Sequence, residues 1–178
     1  VQAADGLAAW DLILQELPDI VVSDVMMPGM DGYALCQLAK TDVRTAHIGL
    51  ILLTSRAAPE ARLKGLSTGA DVYLSKPFQL AELELQIANL LQSQHKIREH
   101  LKKTVLVGQP QTLIPHVQDV FLSQLYEELE KQLDNPQLGV DFLCQHFSMS
   151  RSTLNRKLKS LLDTSANELI RQYRLQRS

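Results

Sequence analysis

Three polar side chains follow short apolar stretches of the sequence, and their chemical types are complementary. Asp24 ends the stretch DIVVSD, Thr54 ends IGLILLT, and Lys76 directly follows ADVYLS. A carboxylate, a hydroxyl and an ammonium group held together could bind or accept a phosphoryl group. Taken singly, each has a plain structural role: a capped turn, a strand-end threonine and a surface salt bridge. The occurrence of all three favours the phosphoryl site.

The segments around these residues alternate between strand and helix. Short buried strands are predicted for DIVVSD, IGLILLT and DVYLS, and helices before the first strand, after the PGMDG turn, from about Pro59 to Ser67, and from near Gln79. Alternation at these lengths predicts a parallel sheet with helices on both faces. The working site of such a sheet lies at the carboxyl ends of its strands. We therefore expect Asp24, Thr54 and Lys76 to lie close together.

The composition fits one substantial hydrophobic core and a second, smaller one. The chain has 178 residues, of which 45% are hydrophobic and 21% charged. Its two cysteines, Cys36 and Cys144, lack the spacing of a disulfide framework or a zinc site, which fits a cytoplasmic location. The longest apolar run, IGLILL, is far shorter than the roughly 20 residues that a membrane helix needs. We expect no membrane contact by this segment; any anchor would belong to a longer parent protein.

The net charge of −2 hides a difference between the two ends of the chain. Residues 1–93 carry a net charge of −5, whereas residues 148–178 carry +5. An acidic front and a basic rear indicate that the two halves meet different partners.

Residues 1–93 resemble the receiver domain of bacterial two-component response regulators, through SDVMMPGMDG, LLTS and YLSKPF in that order. The resemblance implies a flavodoxin-like fold with strand order 2-1-3-4-5. It also implies that Asp24 is the phosphoacceptor, receiving a phosphoryl group from a phosphohistidine on a histidine kinase. Thr54 and Lys76 would bond phosphoryl oxygens. Tyr73, at the position of the family's switch aromatic, would turn inward when Thr54 is drawn to the phosphate.

The same resemblance implies a bound Mg²⁺ ion and a cis peptide bond. The ion would be held by the Asp24 carboxylate and the Met26 backbone carbonyl, and the cis bond would join Lys76 to Pro77. The family takes two further acidic metal ligands from the end of its first strand. That strand would lie before Val1, so we expect the receiver to be incomplete at its N-terminal end.

The last receiver helix is predicted to continue beyond the receiver. Its apolar residues follow a 4-3-7-4 spacing, with Gln94 at the one polar position: Leu83, Ile87, Leu90, Ile97 and Leu101. Two interpretations stay open. The helix could form a short coiled coil, which would make the protein a homodimer when phosphorylated, or it could pack on its own sheet with a solvated end. The segment TVLVGQPQTLIPH then predicts a linker, which gives three parts: 1–93, 94–116 and 117–178.

The third part reads as a bundle of short helices. VQDVFLSQLYEELEKQL is amphipathic and is ended by Asn135 and Pro136. A tight turn from Ser148 to Ser150 separates two shorter helices, and Ser150 can cap the second. The inward-facing residues are predicted to be Val120, Leu125, Leu129 and Leu133 in the first helix, Val140, Leu143, Cys144 and Phe147 in the next, and Leu154, Leu158 and Leu161 in the last. Two helices around a three-residue turn are typical of a helix-turn-helix.

The outward face of the last helix carries the candidate DNA contacts. Ser152, Asn155 and Arg156 are placed to reach base edges in a major groove, since asparagine suits adenine and arginine suits guanine. Arg151 and Lys159 are better placed for phosphates. The alternative is a solvated basic helix face with no DNA role.

The segment from about Asp119 resembles the DNA-binding domain of AraC-type transcription regulators, through MSRSTLNRKLKSL and ELIRQYRLQRS. With the receiver in front, the order resembles the carboxyl-terminal end of hybrid two-component proteins, which carry sensor, kinase, receiver and AraC-type domains on one chain. The AraC-type domain has two helix-turn-helix units, and only the first is expected here.

The resemblance implies a regulator whose phosphorylation at Asp24 controls its binding to promoter DNA, rather than an enzyme, although the parent chain could include a histidine kinase. One alternative is an aspartate-nucleophile phosphatase or phosphotransferase. Such enzymes usually have a second aspartate two residues after the first, where this chain has Met26. Another is a receiver that controls a protein partner without touching DNA.

Overall fold

The computed structural model describes residues 1–55, 68–106, 120–133 and 135–177. The chain divides into two compact units, Val1–His95 and Lys96–Ser178. None of the described helices is both long enough and apolar enough to cross a membrane.

The first unit alternates helices and strands as the sequence predicts. Its elements are α1 (Gly6–Glu16), β1 (Ile20–Asp24), α2 (Gly32–Thr41), β2 (Gly49–Thr54), β3 (Val72–Ser75) and the start of α3 (Leu80–Leu106). The helix predicted from Pro59 to Ser67 lies outside the described residues. An aspartate caps the N-terminus of each of the first two helices. The Asp5 side chain accepts a hydrogen bond from the Ala8 amide at 2.9 Å, and the Asp31 side chain accepts one from the Ala34 amide at 2.7 Å.

The three strands form a parallel sheet in the order β1-β2-β3. On one face of β2, Leu50 and Leu52 pack against Cys36 and Ala39 of α2. On the other face, a Cβ atom added at Gly49 would lie 3.1 Å from the side-chain nitrogen of Gln94 in α3. Helices thus cover both faces, and the predicted flavodoxin-like arrangement of parallel strands and helices is confirmed.

The edge of β1 that faces away from β2 is open among the described residues. β1 pairs with β2 in register from Ile20 to Asp24. All five β1 residues also line a cavity of about 580 Å³, together with residues 1–5 and part of α1. The strand expected before Val1, beside β1, stays a prediction.

Helix α3 runs without a break to Leu106, past the predicted domain boundary after residue 93. The first part of its predicted apolar stripe is half-buried, from Leu83 to Gln94. The Gln94 amide donates to the Asp19 carbonyl at 3.2 Å, which ties this part of the helix to its own unit. Ile97 is 52% exposed. The packed interpretation therefore holds up to Gln94, whereas the coiled coil and the two boundaries between the three predicted parts stay predictions.

After residue 120 the described chain is helical, with α4 (Val120–Lys131), α5 (Val140–His146), α6 (Arg151–Leu162) and α7 (Ala166–Arg177). α4 ends before Asn135 and Pro136, as predicted. One expected core position is wrong, because Val120 is 63% exposed while its neighbour Phe121 is fully buried. The Phe121 ring packs edge-on against Phe147 at 4.8 Å between centroids, so the larger side chain takes the core position.

The connection between α5 and α6 has the predicted tight turn. Ser148 adopts a left-handed conformation with φ of 51°. Ser150 caps α6, and its hydroxyl accepts a hydrogen bond from the Thr153 amide at 3.1 Å. Leu154 and Leu158 are fully buried beneath the helix, as expected, but the third buried leucine is Leu162 rather than Leu161.

Candidate functional site

The Asp24 carboxylate lies at the carboxyl end of β1, where two donors hold it. One oxygen accepts a hydrogen bond from the Met26 amide at 3.0 Å, and the other contacts the Lys76 ammonium group. The loop after β1 is fixed by a 3.0 Å bond from the Gly32 amide to the Val25 carbonyl. Gly32 is required here, because an added Cβ would lie 2.3 Å from the Asp24 carbonyl oxygen.

Lys76 follows β3 and is tied to the end of β2. Its backbone amide donates to the Thr54 carbonyl at 2.7 Å, and its bond to Pro77 is cis, as predicted. Thr54 ends β2 and is 9% exposed. In the sheet register, Asp24 lies opposite Leu53, and Thr54 opposite Ser75. The structure thus brings Asp24 and Lys76 into direct contact and places Thr54 at the neighbouring strand end.

Opposing effects act on the Asp24 carboxylate. Partial burial raises its pKa. The hydrogen bonds from Lys76 and Met26, together with the Lys76 charge, lower the pKa by a larger amount. The net result is a pKa below the usual value. Asp24 is therefore ionised at neutral pH, which is the state a carboxylate nucleophile needs.

Tyr73 lies on β3 and packs, partly buried, against the cluster that contains Leu50 and Leu52. Its hydroxyl shares a 2.8 Å hydrogen bond with the hydroxyl of Thr68. Burial is the main cause of the raised pKa of the Tyr73 phenol. Sequence reasoning missed Thr68, because its position five residues before Tyr73 follows neither a helical nor a strand period.

A magnesium ion would find hard oxygen donors at this strand end. The Asp24 side chain is 35% exposed and Met26 is 69% exposed, so both residues are open to solvent. Mg²⁺ is commonly held by one or two carboxylates together with water molecules, which this donor set fits. Among the described residues, no three acidic, histidine or cysteine side chains form a metal-binding group.

The predicted DNA contacts lie on α6, and four of the five are exposed: Arg151, Ser152, Arg156 and Lys159. Arg151 is paired with an acidic residue of the neighbouring helix, since its guanidinium donates to the Asp141 carboxylate of α5 at 2.6 Å. This bond lowers the pKa of Asp141. Asn155 differs from the other four because it is half-buried, and its side-chain oxygen accepts a hydrogen bond from the Ala166 amide at 3.0 Å.

Lys157 shows where a count of charges misleads. It is fully buried, and its ammonium nitrogen lies 4.8 Å from the centroid of the Phe121 ring, a cation–π contact. The sequence gives a signal in retrospect, since Lys157 lies three residues after the buried Leu154. The basic surface of α6 thus consists of Arg151, Arg156 and Lys159.

Residues 1–88 match the family described as response regulator receiver domain. The whole chain is 34% identical to histidine kinase P4 of Formosa agariphila over 178 residues, which cover 13% of that protein. It is 36% identical over 115 residues to the DNA-binding dual master transcriptional regulator RpaA of a Synechocystis species, covering 64% of this chain and 48% of that protein. The chain therefore spans less than half the length of either relative.

Among solved structures, the chain resembles the receiver domain of sensor histidine kinase PA1611 from Pseudomonas aeruginosa PAO1. That domain was solved with a magnesium ion coordinated in its active site cleft. The two are 28% identical with a TM-score of 0.47, over 51% of this chain and 74% of the other.

Proposed function

From the premise that residues 1–88 are a response regulator receiver domain, we propose that Asp24 accepts a phosphoryl group from a histidine kinase and that this controls DNA binding by α6. The observation that carries the proposal is the contact between the Asp24 carboxylate and the Lys76 ammonium group, with Thr54 at the adjacent strand end. These are the groups needed to receive a phosphoryl group and to bond its oxygens.

In the proposed transfer, an Asp24 oxygen forms a bond to the phosphorus atom of a phosphohistidine, and the P–N bond breaks. The imidazole nitrogen keeps the electron pair of that bond and takes up a proton. Mg²⁺, held by Asp24 and the Met26 carbonyl, would supply positive charge to the phosphoryl oxygens. Lys76 then pairs with one of these oxygens, and the Thr54 hydroxyl donates a hydrogen bond to another.

Phosphorylation also changes what Asp24 presents to its neighbours. A phosphoryl group carries a charge of about −1.5 to −2 and offers three acceptor oxygens, in place of one carboxylate charge. Lys76 and Thr54 both lie at strand ends next to Asp24, so they are the groups that respond first. Tyr73 lies on β3, three residues before Lys76, and we propose that it turns with Thr54 as the switch residue.

The proposed output is promoter binding by an AraC-type helix-turn-helix formed by α5 and α6. Arg156 and Ser152 would meet base edges, and Arg151 and Lys159 would meet phosphates. Asn155, the fifth predicted contact, is already bonded to Ala166. The similarity to histidine kinase P4 runs through all 178 residues, which supports a hybrid two-component parent chain. A cytoplasmic location and a homodimer in the phosphorylated state belong to the same proposal.

The enzyme alternative has less support from the site. The acid that an aspartate-nucleophile phosphatase uses would occupy position 26, and Met26 has no proton to give. A receiver that controls only a protein partner would leave the exposed basic face of α6 without a role.

Labelling of Asp24 tests the proposal. A histidine kinase carrying labelled phosphate should transfer the label to the wild-type protein as an acid-stable, hydroxylamine-sensitive acyl phosphate. Asp24→Asn should lose this label, whereas Asp11→Asn, a change of an exposed aspartate on α1, should keep it. A label of the same chemistry and amount on Asp24→Asn would refute the assignment.

A further inference from the structure

We infer that Asn155 is a positioning residue that fixes the start of α7 against α6, and that it does not read a base. The inference rests on the proposed DNA binding of α6 for its functional consequence. Its structural basis is the 3.0 Å hydrogen bond from the Ala166 amide to the Asn155 side-chain oxygen, which joins residues eleven positions apart.

The Ala166 amide depends on this bond. Ala166 is the first residue of α7, and the first N–H groups of a helix have no partner within the helix. Because Ala166 is fully buried, water has no access to replace Asn155. Two later donors near the start of α7 have local acceptors: the Glu168 amide donates to the Ser165 hydroxyl at 3.3 Å, and the Leu169 amide donates to the Ser165 carbonyl at 2.9 Å.

The bond also spans the short connection between α6 and α7. α6 ends at Leu162, and Asp163 adopts a left-handed conformation with φ of 54°. Three residues later α7 begins at Ala166. Asn155 lies near the middle of α6, so its bond holds the new helix to a part of α6 well away from the turn.

The two helices leave space between them at this junction. A cavity of about 690 Å³ is lined by residues of α6, including Arg156 and Lys159, and by residues at the start of α7, including Glu168 and Gln172. Where side chains do not fill the space between two helices, packing fixes their angle less firmly, and a specific hydrogen bond matters more than it would between closely packed helices. Arg156 directly follows Asn155, so a change in this angle would move a proposed base contact.

Base reading and capping both need the side-chain oxygen of Asn155, and capping holds this oxygen toward the start of α7. An asparagine recognises adenine with both its amide nitrogen and its oxygen, and the oxygen of Asn155 is bonded to Ala166. We therefore expect Asn155 to act on DNA binding through helix geometry.

Two substitutions separate the roles. Asn155→Asp keeps an oxygen acceptor at the start of α7, where a negative charge is favourable, but removes the N–H donor that adenine recognition requires. Asn155→Leu has similar size and removes both. We expect Asn155→Leu to lower the folding equilibrium constant of this unit by about 2- to 30-fold, the range for loss of a helix cap, and Asn155→Asp to leave it nearly unchanged.

Two readouts are used, and the first of them, hydrogen exchange, does not require that DNA binds. Hydrogen exchange of the Ala166 amide should speed up in Asn155→Leu and stay slow in Asn155→Asp. In binding to a DNA library, Asn155→Leu should weaken all sequences alike, and Asn155→Asp should keep the wild-type base preference. Asn167→Asp and Asn167→Leu, at an exposed position in the first turn of α7, are the matched controls and should change neither readout.

Each contrary result has a clear meaning. Unchanged Ala166 exchange in Asn155→Leu would refute the cap. Loss of preference at one adenine position in Asn155→Asp, with exchange unchanged, would make Asn155 a base reader. If the wild-type protein retains no DNA, the proposed function fails while the exchange result still decides whether Asn155 positions α7.

Discussion

Lys76 and the Met26 amide each hold one oxygen of the Asp24 carboxylate, so the charge of this group depends on two donors from different parts of the chain. The sequence indicates Asp24 and Lys76 by their residue types at strand ends. It does not indicate the contacts of residues that follow neither helical nor strand spacing. The Thr68 bond to Tyr73 is of this kind, whereas the burial of Lys157 agrees with its helical spacing after Leu154.

Replacing Lys76 should raise the pKa of Asp24. Lys76→Met removes a hydrogen bond and a positive charge that both lower it, and leaves the effect of burial. The pKa of Asp24 is lower in the folded state than in the unfolded state, where it is about 3.9. Asp24 therefore stabilises the fold when the pH is above about 3.9, and this contribution is lost as the pH falls through the folded pKa. Titration of the Asp24 carboxyl carbon by NMR measures the shift.

Lys40→Met is the control for this titration, because Lys40 pairs with a different aspartate, Asp71, at 2.7 Å. It should leave the Asp24 pKa unchanged. An Asp24 pKa that is the same in Lys76→Met and the wild type would show that the contact does not persist in solution.

Among the helices and strands, periodicity predicts the elements better than it predicts their faces. β2 reads as a continuous apolar run because both of its faces are covered, and its residues 49–52 are buried. In α4, helical spacing allowed Val120 a core position that Phe121 takes. Helical spacing defines an apolar stripe along a helix. The packing of a neighbouring ring then decides which residues at the edge of that stripe are buried.

The approach of α2 to β1 gives a prediction at this scale. In Gly32→Ala, the added methyl group would lie within 3 Å of backbone atoms of both Asp24 and Val25, and backbone atoms cannot rotate away. We expect a loss of about 1–3 kcal/mol in the free energy of unfolding. The fluorescence of Trp10, the single tryptophan, reports on this unit during denaturation.

Gly139→Ala is the comparison, because the nearest atom to its added Cβ is 3.8 Å away. As an exchange of one N-cap residue for a poorer one, it should cost less than about 1 kcal/mol, measured by circular dichroism. Equal losses for the two substitutions would mean that α2 can move away from β1 without cost.

Over the whole molecule, the charge difference between the two ends predicts that they meet different partners. The chain divides into two compact units, Val1–His95 and Lys96–Ser178. A single sequence does not predict the contacts between elements that are far apart in the chain. Asn155 is the example: its residue type and outward spacing suggested a base contact, but the turn after α6 brings the Ala166 amide to it.

We propose that the phosphorylation state of Asp24 controls DNA occupancy through α6. The most direct test is genome-wide DNA occupancy of the protein in cells, measured together with its phosphorylated fraction on phosphate-affinity gels. In the wild type, occupancy should change with the phosphorylated fraction. Asp24→Asn should show no phosphorylated form and a constant occupancy, and Arg156→Ala should be phosphorylated normally but lose its sites. An occupancy in Asp24→Asn that still changes as it does in the wild type would contradict the account.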